Sequence, residues 1–311
     1  MAHFPVRRTK FFSGPAGLCE DGDVTTEYTG AGDPRRSLEL LWGARDRPRR
    51  GPRPKLTPER IVGRAVEIAD ADGLEAVSIR RIADDLGVSP MSIYTYVPGK
   101  AELLDAMLDR AVGEITPPGD EAAGWRARLA HVARENWRLY HAHPWLLQVA
   151  TARPPLGPNL LDKYETELRA VEGIGLTDVE MDSAVALVNG LAESTARTSV
   201  NRAQAERRTG LTDRQWWEAT APFLAERVDG SRYPLGSRVG SASAEEYGSA
   251  VGPEHAFEFG LARVLDGIEA LISARADQAP TADEHRTAGQ SDQRRAGGRA
   301  ADGRTSGGRP G

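Results

Sequence analysis

The chain has 311 residues, 40% of them hydrophobic, with 40 basic and 45 acidic residues and a formal net charge of −5. That length allows two domains with separate hydrophobic cores. The single cysteine, Cys19, excludes an internal disulfide framework and a cysteine-rich metal site. No run of about 18 apolar residues occurs, and residues 1–19 lack the apolar stretch of a signal peptide. The expected location is therefore the cytoplasm, with no membrane partner.

The N-terminal part divides into an extension and a basic arm. Residues 1–44 are expected to be a mostly disordered extension, since the first 23 residues show no hydrophobic periodicity. Residues 45–56 form a proline-interleaved basic arm, which suits a narrow minor groove of DNA because the potential there is most negative. Its candidate contacts are Arg53 and Lys55. The alternative is a solvated linker, and the helical segment that directly follows the arm, described next, favours the first interpretation.

Residues 77–97 predict two short helices joined by a tight glycine turn. Ser78 fits the N-cap of the first helix, and Gly87 fits the left-handed residue that ends it. Ser89 and Pro90 fit the N-cap and first position of the second helix, expected to run to about residue 97. Apolar residues recur at helical spacing on one face: Ile79, Ile82, Ala83, Leu86, Ile93 and Val97. This arrangement is a helix-turn-helix, whose second helix enters a major groove.

The outward face of the second helix carries hydroxyls and aromatic rings with almost no charge. Its members are Ser92, Tyr94, Thr95 and Tyr96. Such groups suit base edges and phosphates, and Lys100 just beyond them can hold a phosphate. The alternative is an ordinary helical hairpin whose tyrosines pack on a neighbour. Because the caps, the turn and the spacing agree, DNA binding is favoured.

Two further helices flank this motif. Thr57 and Pro58 fit an N-cap and first helical position, and the helix they begin ends near Gly73. Apolar residues between Lys100 and Ile115 predict one long amphipathic helix, stopped by the prolines that follow. Residues 45–100 hold eleven basic and eight acidic residues, although the whole chain is acidic. DNA contact is therefore expected on one face only.

Residues 57–115 resemble the DNA-binding domain of the TetR family of bacterial transcriptional regulators. In this sequence the shared pattern consists of Gly87, Val88, Ser89, Ile93, Tyr94, Tyr96, Val97 and Lys100. The resemblance implies base contacts from Arg80, Pro90, Met91 and Ser92, and DNA-backbone contacts from Ser78, Tyr94, Thr95, Tyr96 and Lys100. Pro90 and Met91 stand where some members have polar residues.

The start of the chain also resembles related regulators. In these, a Thr-Glu-Tyr segment is followed by Gly-Asp-Pro-x-x-Ser-Leu-Glu-Leu-Leu-Trp, and the same residues occur here up to Trp42. The resemblance implies that the native chain starts at Val24. It also implies a short helix over residues 33–42, whose role is unknown.

Residues 120–276 are expected to be entirely helical, with proline and glycine clusters between amphipathic segments. The predicted helices lie near 121–141, 144–151, 158–173, 177–208, 212–228 and 253–275. Parts of this region are similar to a C-terminal domain of TetR-type repressors, which implies effector binding and dimerisation. Residues 277–311 are too polar and small to order and are expected to be a disordered tail. The predicted fold class is all-α.

Two of the predicted helices carry long apolar stripes. The stripe residues are Met181, Val185, Val188 and Ala192 on the first, and Phe257, Leu261, Val264, Leu265, Ile268 and Leu271 on the second. Paired across a two-fold axis, the stripes would form a four-helix bundle and place two helix-turn-helix motifs on two half-sites. The alternative is that they serve only the core of one chain. The family resemblance favours the homodimer.

Aromatic residues in this domain point to a pocket for a small-molecule effector. Trp137, Trp145 and Tyr164 supply flat apolar walls, and Asn189 is a polar group on an apolar-patterned helix. For each aromatic residue alone, ordinary core packing is the competing interpretation. The identity of the effector does not follow from these residues.

An enzymatic alternative rests on a few histidines. His131 and Glu135 are four residues apart and could chelate a divalent ion, the basis for a metal-assisted hydrolase. However, His141 and His143 point to different helix faces, and no HExxH, nucleophile-elbow or phosphate-loop motif is present. We therefore expect no catalytic residue, metal or cofactor.

A third class is an effector-independent architectural DNA-binding protein, which would not need a second core of this size. The favoured hypothesis is a ligand-responsive repressor. It would bind a near-palindromic operator as a homodimer and be released by a small molecule.

Overall fold

Residues 27–43, 56–119, 123–151, 153–249 and 251–278 are described by the computed structural model of the protein. Over these ranges the α-helices are α1 Pro34–Gly43, α2 Pro58–Asp72, α3 Ile79–Leu86, α4 Pro90–Tyr94, α5 Lys100–Val112, α6 Gly124–Ala142, α7 Pro158–Ala170, α8 Asp178–Thr209, α9 Asp213–Arg227, α10 Pro234–Tyr247 and α11 Pro253–Gln278. Short 3-10 helices cover Leu74–Ala76 and Pro144–Gln148. Strands β1 Glu27–Tyr28 and β2 Val149–Ala150 pair in parallel, with Glu27 opposite Val149. The all-α class is confirmed.

Local signals explain the helices of the DNA-binding part. Thr57 caps α2 by accepting a hydrogen bond from the amide of Arg60 at 3.3 Å, and Ser78 caps α3 by accepting one from the amide of Arg81 at 3.2 Å. Gly87 ends α3 with φ 67° and ψ 36°, the left-handed conformation that favours glycine. The chain can therefore reverse into α4 within a few residues.

A first hydrophobic cluster holds these helices together and extends beyond them. It contains the buried residues of α2, α3, α4 and α5, and it continues to Leu41 on α1 and to Trp145 and Val149 after α6. Ile82, Ile93 and Val97 are fully buried in it. The DNA-binding part and the C-terminal part therefore share one core through α5.

A second hydrophobic cluster lies in the C-terminal part, where α8 packs against α6 and α11. Its buried members include Val185, Val188 and Ala192 on α8 and Phe257, Leu261 and Leu265 on α11. Partly buried Met181, Val264 and Ile268 pack against it, whereas Leu271 is exposed. The stripes expected to face a second copy therefore serve the core of one chain, because α8 and α11 turn them towards each other.

Several predicted boundaries need correction. The second helix of the motif ends at Tyr94 rather than near residue 97, and the helix after Lys100 ends at Val112. Residues 144–151 form a 3-10 helix and then β2 instead of an α-helix, because the backbone of Val149 and Ala150 pairs with β1. The helix expected over 158–173 ends at Ala170.

Two ordered elements differ more widely from expectation. Residues 27–43, expected within a mostly disordered extension, form β1 and α1, and α1 matches the short helix implied for 33–42. Helix α10 was not predicted, and its glycine and serine content explains why: these residues weaken both helix propensity and the apolar pattern. The basic arm with Arg53 and Lys55, and residues 279–311 of the expected tail, lie outside the described residues.

Among the described residues, no helix combines the length and apolar character needed to cross a membrane.

Candidate DNA-binding surface and effector region

Helix α4 begins at a cap that also shapes the surface around it. The Ser89 hydroxyl accepts a hydrogen bond from the amide of Ser92 at 3.3 Å and lies 2.9 Å from the Ser92 hydroxyl. Pro90 occupies the first helical position, where its missing N–H costs nothing. Ile93 points into the core and is fully buried. One side of this short helix is thus fixed, which leaves the other available to a partner.

The predicted base-reading residues lie largely on the surface. Arg80, Pro90 and Met91 are exposed, with Met91 at 74%, and Ser92 is half-buried. Within the part of the chain that the structure describes, the Arg80 side chain makes no hydrogen bond or ion pair. Its guanidinium is therefore free to meet a guanine edge, for which arginine has suitable donors.

The predicted contacts to the DNA backbone are more varied. Ser78, Tyr94 and Thr95 are exposed, although the Thr95 hydroxyl donates to the carbonyl of Met91 at 3.3 Å. Tyr96 is half-buried and packs against the first hydrophobic cluster. Its ring therefore belongs partly to the core, which corrects the expectation of a wholly outward face.

Lys100, the predicted phosphate contact at the start of α5, already has an acidic partner. Its Nζ lies 2.6 Å from Oε1 of Glu27, at the edge of β1. The Lys100 side chain is 53% exposed. The ammonium is thus accessible to solvent but paired within the chain.

Ion pairs on the DNA-binding part link its helices. Arg64 on α2 binds Asp85 on α3 and Glu67 one turn along, and the hydrogen bonds that its guanidinium donates to Glu67 and Asp85 raise the pKa of Arg64. Arg81 binds Asp72 at the end of α2. The Arg81 side chain is therefore held in an ion pair within the chain, in contrast to that of its neighbour Arg80.

Two of the four predicted pocket residues, Trp137 and Asn189, lie on neighbouring helices of the C-terminal part. Trp137 on α6 stacks on Phe257 of α11 with ring centroids 4.6 Å apart. Asn189 on α8 accepts a hydrogen bond from Asn136 Nδ2 at 3.0 Å and donates to Glu167 Oε2 at 3.1 Å. These contacts place a buried polar network between α6, α7 and α8.

Glu167 is the centre of this network and was missed by sequence reasoning. It is 3% exposed and binds Lys163 as well as Asn136 and Asn189. A buried carboxylate is costly unless it is paired and hydrogen-bonded, and these partners meet that need. The signal was weak, because a Lys-x-x-x-Glu spacing on a helix is usually a solvent-exposed pair.

The other two predicted pocket residues lie elsewhere. Trp145 is 1% exposed in the first hydrophobic cluster, and its Nε1 donates to Asp70 on α2 at 2.8 Å. Tyr164 is 42% exposed and donates to Asp182 at 2.8 Å, a bond that raises the pKa of its hydroxyl. Trp145 thus joins the two parts of the chain, and Tyr164 lies at the surface. The four residues do not line one pocket.

A cavity of about 330 Å³ lies at the junction of the two parts. Its lining includes Asp70 and Leu74 near the end of α2, Trp145 and Gln148 after α6, and Gln204 near the end of α8. Trp145 forms one wall of this cavity, and neither Trp137 nor Asn189 is among its lining residues.

The histidines have structural partners. His131 Nε2 lies 2.8 Å from the carbonyl of Thr116, and Glu135 accepts a hydrogen bond from the amide of Thr116 at 2.8 Å. The hydrogen bond from Arg138 lowers the pKa of Glu135, with the Thr116 amide contributing. His143 is buried between Asp70 and Glu114, at 2.7 and 3.1 Å. Within the described ranges, no group of three potential ligands is arranged to hold a metal ion.

Comparison with known proteins agrees with this arrangement. Residues 61–107 match the family model described as bacterial regulatory proteins, tetR family, and residues 117–272 match the model of the tetracyclin repressor-like, C-terminal domain. The HTH-type transcriptional repressor DrrR1 of Streptomyces coeruleorubidus is 48% identical over 252 residues, which cover 81% of this chain and 91% of that protein.

Solved structures from Streptomyces coelicolor are also similar. Apo ActR aligns with a TM-score of 0.59 and 25% identity, over 72% of this chain and 100% of that chain. ActR in complex with actinorhodin aligns with a TM-score of 0.57 and 27% identity, over 71% of this chain and 99% of that chain. Helix-turn-helix geometry, C-terminal helical domain and relatives all agree: the chain belongs to the TetR family and is a DNA-binding transcriptional regulator.

Proposed function

We propose that this regulator is a repressor that binds a near-palindromic operator as a homodimer and leaves it when a small molecule binds. The observation that carries the proposal is the helix-turn-helix itself. Fully buried Ile82, Ile93 and Val97 fix α3 and α4, while Arg80 and Met91 stay exposed and unpaired beside them. A rigid scaffold with free donors and apolar groups on its outer face suits direct reading of bases.

The DNA contacts divide into two classes. Arg80, Pro90, Met91 and Ser92 are proposed to meet base edges, and Ser78, Tyr94, Thr95, Tyr96 and Lys100 to meet the DNA backbone, with Arg53 and Lys55 in the adjacent minor groove. The exposure of most of the described members supports these roles. Base contacts confer preference, whereas phosphate contacts contribute affinity that falls with salt.

The homodimer is proposed to form through surfaces that one chain leaves uncovered. Helices α9 and α10 contain no buried residue, yet they expose Trp216, Phe223, Leu235 and Val239. On the outer faces of α8 and α11, Leu187 and Phe259 are likewise exposed. Large apolar side chains left exposed in this number are candidates for an interaction site. A second copy is the occupant we propose, because a dimer matches the two half-sites of a near-palindrome.

The effector site is proposed to lie between α6, α7, α8 and α11, around Trp137 and Asn189. An aromatic wall beside a buried polar network fits recognition of a small molecule with polar substituents. ActR, whose fold is similar, has been solved in complex with actinorhodin, which supports binding of a small-molecule effector. Displacement of α6 would reach α2 of the DNA-binding part through Trp145, whose Nε1 donates to Asp70.

Two alternative functions lose support. The metal-assisted hydrolase rested on His131 and Glu135, and both bind the backbone of Thr116. An architectural DNA-binding protein would not require the second hydrophobic cluster and its polar network. Loss of promoter binding in the presence of a small molecule, with actinorhodin as the first probe, separates the regulator from an effector-independent binder.

The base-reading role is tested by Arg80→Ala. Binding to the chain's own promoter region and to random DNA of equal length is measured across a salt series. Loss of an arginine–guanine contact lowers the preference for promoter DNA by about 1–3 kcal/mol, while binding to random DNA changes little. Arg81→Ala is the matched control, since Arg81 is paired with Asp72 and should leave the preference unchanged. Equal loss on both DNAs for Arg80→Ala contradicts its base-reading role.

A further inference from the structure

Residues 27–43, which we call the N-terminal strap, connect the two parts of the molecule. Along one side the strap binds the segment after α6: the amide of Thr29 donates to the carbonyl of Ala150 at 3.1 Å, and its hydroxyl donates to the carbonyl of Arg153 at 2.8 Å. The indole of Trp42 donates to the carbonyl of Leu156 at 3.0 Å. The strap is thus fixed to the C-terminal part at both of its ends.

Along its other side the strap binds α5 through buried carboxylates. Asp105 is 1% exposed, and it accepts hydrogen bonds from the amide of Gly30 at 3.0 Å and from the hydroxyl of Ser37 at 2.7 Å. Glu102 accepts one from the amide of Asp33 at 3.1 Å. Hydrogen bonds to an ionised acceptor are among the stronger ones, and they offset the cost of burying these charges.

The strap and α5 approach so closely at Gly32 that a side chain there would require the Glu102 carboxylate to shift. A Cβ there would lie 2.5 Å from Oε1 of Glu102. Together with the two buried carboxylates, this contact defines one position of the strap along α5. Glu27, at the start of β1, is therefore brought to a defined place beside the first residue of α5.

That first residue is Lys100, whose Nζ lies 2.6 Å from Glu27. The same ammonium is the proposed phosphate contact. A lysine paired with a carboxylate attracts a phosphate less, because the pair carries no net charge and the carboxylate repels the approaching anion. Forming the phosphate contact requires the Glu27–Lys100 pair to open.

We propose that Glu27 is an autoinhibitory residue: the strap holds it against Lys100 in the free protein, and this contact lowers the affinity for DNA. The inference rests on the proposed phosphate contact of Lys100. It assigns a role to the N-terminal segment that the helix-turn-helix alone does not need. Pairing of β1 with β2 connects the contact to the segment after α6.

The test is a double-mutant cycle on the full chain, with promoter-DNA affinity measured at low salt for Glu27→Gln, Lys100→Ala and the double variant. Because an exposed ion pair contributes modestly, Glu27→Gln should tighten binding about two- to five-fold. Lys100→Ala should weaken binding and reduce the salt slope by about one. In the Lys100→Ala background, Glu27→Gln should have no further effect, since the contact it removes is already gone.

Glu39→Gln is the matched control, because Glu39 lies on the same strap and pairs with Arg35 instead of Lys100. Glu39→Gln removes one negative charge, as Glu27→Gln does, and should leave DNA affinity unchanged. Equal tightening by Glu27→Gln and Glu39→Gln, or tightening by Glu27→Gln in the Lys100→Ala background, would overturn the autoinhibitory contact. Unchanged promoter affinity for Lys100→Ala would instead refute the phosphate contact itself, and the inference with it.

Discussion

Helices α3 and α4 and helices α9 and α10 form two pairs with exposed apolar side chains, but only the first pair is attached to a core. Met91 and Tyr94 are exposed beside fully buried Ile82 and Ile93. In α9 and α10, no residue is buried at all. Exposed apolar groups on an anchored helix are available to a ligand such as DNA. Two helices without any buried face need another surface for their own stability.

Local sequence strengthens this contrast. Capping does not separate the pairs, since Ser78 and Ser89 cap α3 and α4 and Thr212 caps α9 through a capping box with Gln215. The difference lies in the helix interiors. Helix α9 contains Pro222 in its interior, and α10 contains Gly236 and Gly240. Proline and glycine within helices are unfavourable. The second pair therefore depends on packing, which one chain does not supply.

The largest effect is expected at the core of the first pair. Ile93→Ala removes a fully buried side chain and should lower the free energy of unfolding by about 2–5 kcal/mol, with loss of promoter binding. Val239→Ala on α10 is the comparison, and as an exposed substitution it should change the stability of one chain by less than about 0.5 kcal/mol. Urea denaturation of both variants, at a concentration where the protein is monomeric, measures the difference. Similar losses of unfolding free energy in the two variants would contradict the difference between α4 and α10.

A smaller effect is expected on self-association. Leu235 on α10 is 66% exposed in one chain, and Leu235→Asp should raise the dimer dissociation constant at least about tenfold if a second copy covers it. Leu161→Asp on α7, also exposed, is the control and should leave association unchanged. Analytical ultracentrifugation measures the dimer dissociation constant of each variant. Unaltered association of Leu235→Asp would place the interface away from α10.

The smallest effect is expected where α8 and α11 meet outside the core. The guanidinium of Arg275, 2.6 Å from Glu180, lowers the pKa of that carboxyl to about 2, with help from Thr177. Because the folded pKa lies below the ordinary value of 4.5, this carboxylate stabilises the fold above pH 4.5 and loses its contribution as the pH falls towards 2. Glu180→Gln should therefore lower the Tm at pH 7, with a difference that shrinks in acid.

Glu218→Gln on α9 is the control for this pH dependence, since within the described ranges Glu218 has no arginine partner. It should leave the Tm at pH 7 nearly unchanged. A difference between Glu180→Gln and the original chain that stays constant from pH 7 to pH 3 would show that the ion pair is not its source. Thermal unfolding followed by circular dichroism at a series of pH values decides between these outcomes.

The DNA-binding part could be predicted well because its signals are local. Caps at Thr57, Ser78 and Ser89, and a left-handed glycine at Gly87, act over three or four residues and agree with the apolar spacing. The C-terminal part was predicted to be helical, but its pocket residues were not correctly grouped. A tryptophan such as Trp145 looks the same in sequence whether it lines a pocket or joins two domains.

The sequence by itself determined the helical class, the helix-turn-helix and its outward-facing Arg80 and Tyr94, because backbone propensity and hydrophobic period depend on near neighbours. Only the tertiary structure decided that α8 and α11 turn their stripes towards each other, and that the strap pairs Glu27 with Lys100. Which apolar face becomes internal, and which distant group satisfies a buried charge, depends on contacts between residues far apart in the chain.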